Sequence, residues 1–256
     1  MSGWVPMPVI TLLTDFGTRD SYVAEVRGVL LSRAPGAVLA DITHDIAPGD
    51  IGAAAYVLGR AWHRFPSGTV HLAVVDPGVG TARSALALRA HGHYFVGPDN
   101  GLFTPVLDDP ALALVALPVP LSAPATFHGR DLFAPAAAAL ARGATLGSLG
   151  APPGRAPVRL ALPRAYRDGD ALVGEVIYVD RFGTLVTNLP AAELGARASV
   201  AVQGVDVGPV RWTFGDVAPG ALVALAGSDG ALEIAVRDGS AAARLGVGIG
   251  APVAAR

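Results

Sequence analysis

The chain changes its rhythm of apolar and polar positions partway along. Up to about residue 145, short apolar runs alternate with stretches in which apolar residues recur every three or four positions. Residues 9–13 form a continuous apolar run opening into Thr14-Asp15-Phe16-Gly17, the pattern of a buried strand entering a turn. Val23, Val26, Val29 and Leu30 share one face of a helix predicted over 22–33, with Asp20 or Ser21 as its cap. A second strand over 37–42 ends in Asp41-Ile42-Thr43-His44-Asp45, and Asp50 caps a helix over 51–64. A third strand, 70–75, runs directly into Asp76. This alternation, with polar residues at the strand ends, predicts a mainly parallel, Rossmann-like sheet covered by helices.

Residues 86–89 and 94–96, separated by His91-Gly92, read as a hairpin, and Gly97-Pro98-Asp99-Asn100-Gly101 as a tight loop. Another strand is expected over 111–117 and a helix over 132–142. The stretch 150–163, rich in Pro, Gly and Arg, reads as a linker. Beyond it the pattern shortens. Strands over 172–179, 185–188, 199–205, 222–226 and 232–236 are separated by turn residues, with at most a helix around 191–194. That spacing fits a small β-barrel or sandwich. The expected organisation is an α/β domain over 1–160 and an all-β domain over 161–256.

Composition narrows the function classes. No apolar run approaches a membrane span, and the first residues lack the basic and apolar segments of a signal peptide. Cysteine is absent, which removes disulfides and thiolate metal sites and agrees with a cytoplasmic location. A net charge of −2 makes no case for nucleic acid. All 19 cationic side chains are arginine, so lysine Schiff bases and the Gly-Lys-Ser/Thr phosphate loop are excluded.

Four acids fall at strand ends or tight loops of the first domain: Asp15, Asp41, Asp76 and Asp99. Any one of them is ordinarily a turn or helix cap. Several at one edge of a parallel sheet point to a ligand cleft. Within Val75-Asp76-Pro77-Gly78-Val79-Gly80-Thr81-Ala82-Arg83, the arginine returns across a Pro-Gly turn to face Asp76, keeping it ionised. His128 precedes a helix and His44 follows a strand, both positions where catalytic groups sit, whereas His63, His91 and His93 read as surface residues. A metal reading would collect Asp15, Asp76, Asp99, His44 and His128, but no two histidines have helix-borne ligand spacing, so no metal is expected. Gly78-Val79-Gly80 lacks the third glycine of a dinucleotide fingerprint. In the second domain, the stretch from Asp180 through Phe182 and Thr184 to Asn188 is either a hairpin or a platform on which Phe182 stacks a flat ring. Ser228-Asp229-Gly230 before Leu232-Glu233-Ile234-Ala235-Val236 is a second such turn.

Together these motifs resemble the S-adenosyl-L-methionine hydrolases that form adenosine and methionine, relatives of the fluorinase and chlorinase enzymes. The matching stretches are Thr14-Asp15-Phe16-Gly17, Asp41-Ile42-Thr43-His44, Val75-Asp76-Pro77-Gly78-Val79-Gly80, Gly97-Pro98-Asp99-Asn100-Gly101, Thr126-Phe127-His128-Gly129-Arg130-Asp131, Asp180-Arg181-Phe182-Gly183 and Leu232-Glu233-Ile234-Ala235-Val236. The resemblance implies an α/β domain followed by a β-barrel, and a homotrimer with active sites between subunits. It implies S-adenosyl-L-methionine as substrate, with no separate cofactor. It places a water-activating set on Asp76, Arg83 and His128, ribose binding on Asp15, and further substrate contacts on Asp76, Asp180, Phe182, Thr184, Asn188, Ser228, Glu233 and Val236. The halogenases carry tyrosine where Asp76 stands and serine where Gly129 stands, so these two positions argue against the nearer alternative, a 5′-halogenase. A non-catalytic binder of the sulfonium or adenosine is the more distant one. Thr184 replaces the family's usual asparagine, and a threonine cannot make an amide's two-pronged contact.

Overall fold

A computed structural model of the chain describes residues 7–119, 124–195 and 198–256. These fall into two compact units, Met1–Leu160 and Ala161–Arg256. In the first, strands β1 (Val9–Thr14), β2 (Val38–Thr43) and β3 (Val70–Val74) are joined through helices α1 (Tyr22–Arg33) and α2 (Ile51–Ala61). Strands β4 (Ala85–Ala90), β5 (His93–Pro98) and β6 (Ala113–Ala116) complete a six-stranded sheet in the order β2-β1-β3-β5-β4-β6. The first four in that order are parallel; β4 runs antiparallel to both its neighbours. The chain leaves β1 toward one side of the sheet and returns to the other at β3. The crevice beyond the carboxyl ends of β1 and β3 is therefore a topological switch point, where open α/β sheets bind ligands.

Each element has a local cause. Asp50 caps α2 by accepting from Ala53 N at 2.8 Å, as its position predicts. His91 and Gly92, both at positive φ, form the two-residue turn of the β4–β5 hairpin. Helix α3 (Ala134–Ala141) is almost all alanine, and its small side chains let it lie against the sheet beside Val26 and Leu30 of α1. A short helix α4 (Leu146–Leu149) follows.

The second unit comprises β7 (Tyr166–Asp168), β8 (Ala171–Val179), β9 (Leu185–Pro190), β10 (Ser199–Val202), β11 (Val205–Arg211), β12 (Leu222–Ala226), β13 (Ala231–Val236), helix α5 (Ala241–Leu245) and β14 (Pro252–Ala255). Pairing of β14 with both β10 and β8 closes seven strands into a barrel, with β7 added to the outside of β8. Its core includes Val176, Leu185, Leu189, Val200, Leu232 and Ile234.

Three sequence expectations change. The strand expected over 199–205 is two strands, because Gln203 and Gly204 both take positive φ and turn the chain back. The stretch read as a linker is instead strapped to the first unit over residues 155–160. Asp99 accepts from Val158 N and Arg155, Asp108 from Arg159, and Thr104 from Leu160 N. His93 is not a surface residue but is buried against His71, with Nδ1 3.2 Å from His71 Nε2. Among the described residues, no helix is long and apolar enough to cross a membrane.

Candidate active site

The turn after β3 carries Asp76, and the chain bends back so that Arg83 grips it from across the loop. Arg83 Nε donates to both carboxylate oxygens at 3.0 Å, and Nη2 donates to Oδ2 as well. The pair is nearly buried, at 5% exposure for the Asp76 side chain and 10% for Arg83. The remaining nitrogen, Nη1, is buried without a hydrogen-bond partner among the described residues, and the guanidinium lies 5.2 Å from the centroid of the Phe133 ring. Gly80 allows the loop its close seat. Its φ is +76°, and a Cβ there would lie 2.6 Å from the carbonyl oxygen of Ala125, just ahead of His128.

His128 joins this pair. Its Nδ1 lies 2.9 Å from Arg83 Nη2. A guanidinium has only donors, so Nδ1 must accept, and a neutral ring then carries its proton on Nε2. Burial first, and the Arg83 cation second, hold the imidazole below its ordinary pKa. His128 opens a five-residue π-helical turn, Gly129–Phe133, that leads into α3. Such turns are rare and concentrate at functional sites.

Asp15, Asp76 and His128 line one cavity of about 390 Å³ at the switch point, with Phe16, Pro48, Gly49, Pro77, Val79 and Phe127 among its walls. Asp15 accepts from Gly49 N at 2.8 Å, which leaves its other oxygen free of that bond. The aromatic walls Phe16 and Phe127 meet each other, and Tyr22 behind them, at 5.3–6.1 Å between centroids. A Cβ on Gly129 would come within 3.1 Å of Phe16 and 3.3 Å of Phe127, so a larger residue there would press these rings by a few tenths of an ångström.

The other polar residues at this edge have internal duties. His44 holds the turn after β1: its Nδ1 lies 2.7 Å from Thr14 Oγ1, and its carbonyl accepts from Gly17 N. Asn100 ties its loop to β3 by donating to the Val75 carbonyl. Asp41 pairs with Arg27, and Asp99 holds the strap. No group of three or more His, Asp or Glu among the described residues is placed to hold a metal ion.

The second unit has its own cavity, about 700 Å³, lined by Asp180, Phe182, Thr184, Phe214, Glu233 and Val236 among others. Asp180 Oδ1 shapes the turn by accepting from Phe182 N and Thr184 N, and Phe182 is left 77% exposed. Gly183, at φ +78°, packs where a Cβ would meet Ser240 at 1.9 Å. Asn188 stands apart from this cavity: its amide accepts from Glu175 N and donates to the Pro163 carbonyl. Ser228 is not among the lining residues either. Phe214 was not singled out from the sequence. Its only cue there is an aromatic two residues before Asp216, which caps the turn that holds it.

The model of the SAM hydroxide adenosyltransferase N-terminal domain matches residues 10–150, and that of the C-terminal domain matches residues 174–254. The chain is 47% identical, over 96% of its length and 99% of the relative's, to an (R)-S-adenosyl-L-methionine hydrolase of Thermus thermophilus. It is 30% identical to a fluorinase of Nocardia brasiliensis over 89% of this chain and 90% of that one. A crystal structure of an uncharacterized conserved protein from Thermotoga maritima superposes with a TM-score of 0.89 at 35% identity, covering 96% of this chain and 99% of that one.

Proposed function

The chain belongs to the SAM hydroxide adenosyltransferase family, and from that premise we propose that it hydrolyses S-adenosyl-L-methionine to adenosine and L-methionine. The observation that carries the reading is the Asp76–Arg83–His128 cluster bordering a cavity at the switch point. A water oxygen attacks ribose C5′ as the C5′–S bond breaks. The bonding pair passes to sulfur, giving methionine as a neutral thioether, and the water proton is released. A neutral leaving group needs no general acid. The barrier lies in aligning the water behind C5′ and stripping its solvation, and positioning of this kind contributes up to ~7–11 kcal/mol in favourable cases.

The site supplies that alignment. Asp76 Oδ1 takes one hydrogen bond from Arg83, which leaves it a lone pair for the water. The neutral His128 offers Nε2–H as a donor, and the Arg83 cation favours the hydroxide character that develops on the oxygen. Asp15 binds the ribose hydroxyls through its free oxygen. The cavity of the second unit receives the adenine and methionine parts, with Phe182 stacking and Asp180, Thr184, Glu233 and Val236 at the edges. A homotrimer, in which the first unit of one subunit faces the second unit of the next, accommodates both halves of the substrate, and the site residues themselves supply the chemistry with no separate cofactor.

Gly129 offers no hydroxyl to hold a halide, which supports hydrolysis over halogenation, and a Cβ there would press the Phe16 and Phe127 rings by a few tenths of an ångström. Reaction in oxygen-18 water tests the proposal. The label is expected in the 5′-hydroxyl of adenosine; unlabelled adenosine, or a product that forms only when halide is present, overturns it.

A further inference from the structure

We propose that Arg130 is a positioning residue for this reaction, fixing the turn that aims His128 at Arg83. The proposal rests on the hydrolase reading for its kinetic arm only. Arg130 sits two residues beyond His128, inside the π-helical turn. All three nitrogens of its planar fork are engaged. Nε and Nη2 each donate to one oxygen of Asp131 at 2.8 Å, and Nη1 donates to Glu25 Oε2 at 2.7 Å. Glu25 belongs to α1, and its other oxygen accepts from Ser21 at 2.7 Å. The guanidinium also lies 5.0 Å from the centroid of Phe127, the cavity wall that immediately precedes His128. One side chain therefore binds α1, the turn and the residue ahead of the imidazole.

The geometry calls for such a clamp. A π-helical turn is a rare departure from α-helical register, and contacts from outside the turn can hold it in place. His128 itself offers Arg83 a single hydrogen bond. A small rotation of the turn breaks that contact and frees the ring to change tautomer. Glu25, Arg130 and Asp131 are each about a quarter to a third exposed at the side chain. Ion pairs at that exposure contribute little to stability. The value of the network lies in orientation, which a lysine's point charge does not reproduce.

The test compares Arg130→Met in the native background with the same change beside His128→Ala. In the native background kcat should fall about 10–100-fold, the scale of a small misplacement of a catalytic group. KM should stay within a few fold, and the thermal midpoint should hardly move. Beside His128→Ala the same change should alter kcat less than about twofold, because a positioning residue has nothing left to position. Equal losses in both backgrounds, or an unchanged kcat, overturn the proposal. Glu25→Gln should give a smaller loss with the same dependence on His128. Nitrogen-15 shifts of the His128 ring in the free protein give a second readout that needs no turnover. The native ring should show one tautomer with the proton on Nε2, and Arg130→Met should show an averaged pair. If the native protein leaves S-adenosyl-L-methionine intact, the hydrolase reading fails while this spectrum still decides the role of Arg130; an identical spectrum in the variant sinks the proposal.

Discussion

His71 and His128 are both buried in the first unit, and both are held below the ordinary histidine pKa with burial as the leading cause. Their surroundings otherwise diverge. His71 lies inside β3, stacked on Phe95 at 4.9 Å, with Nδ1 on Thr11 and Nε2 on His93. Both of its nitrogens are engaged by uncharged partners, and it borders no cavity described above. His128 gives one nitrogen to Arg83, and among the described residues the other has no partner and belongs to a cavity wall. Burial and a depressed pKa are thus shared by a core residue and a site residue. What separates them is an unused valence beside open space, together with a fixed charge that decides which valence is left.

The largest expected effect comes from removing the source of that charge arrangement. Asp76→Ala takes away the carboxylate that orients Arg83 and accepts from the water. It should lower kcat by about 10²–10⁴-fold, the range for positioned acid–base groups. Affinity for S-adenosyl-L-methionine, measured by calorimetry, should change far less. Activity equal to the native protein would remove Asp76 from the mechanism and leave the Asp76–Arg83 pair as a structural turn, the counterpart of His71.

Much of this was readable in the sequence, and the reason differs from place to place. The strands and helices of the first unit follow from long periodic segments, and the Asp76–Arg83 contact follows from a Pro-Gly turn that brings the two ends together. Membership of His128 in that cluster came only with the family resemblance, since nothing local ties residue 128 to residue 83. His71 carries no signal of its own, because one histidine inside Val70-His71-Leu72-Ala73-Val74 is masked by the strand around it. Asn188 reads as a ligand group because an amide at a strand end has the right chemistry. That its hydrogen bonds go to the backbone of Glu175 and Pro163 depends on partners 13 and 25 residues away.

A second prediction sharpens the contrast from the side of His71. Its pKa is pushed down to about 3, against about 6.5 in an unfolded chain. The native state therefore resists a proton that the unfolded state accepts. Stability is complete above about pH 6.5 and is lost as pH falls toward 3, by about 1.4 kcal/mol per pH unit, or roughly 2 kcal/mol by pH 5. Replacing His71 by Phe should flatten the acid limb of a denaturation series between pH 6.5 and 4, while leaving the pH dependence of kcat at saturating substrate unaltered. An acid limb as steep as the native one would mean that His71 is not the group that takes up the proton.

The smallest effect concerns the acids rather than the histidines. Asp76 and Asp99 follow the neighbouring parallel strands β3 and β5, and both face an arginine. Asp99 also accepts from Val158 N at 2.7 Å, and its arginine, Arg155, is 57% exposed. The two aspartates look alike in sequence, yet Arg83 is nearly buried and shared with His128, whereas Arg155 ends in solvent on the strap. Asp99 is buried, but a pair whose arginine is this exposed is worth about 1 kcal/mol or less, and the backbone bond keeps Asp99 satisfied when the arginine is gone. Arg155→Ala should therefore shift a urea midpoint only slightly and leave kcat and KM as they are. A tenfold loss of kcat in that variant would show that the Asp99 edge takes part in the chemistry, and the line drawn here between a charge that serves the cavity and a charge that fastens a strap would have to be redrawn.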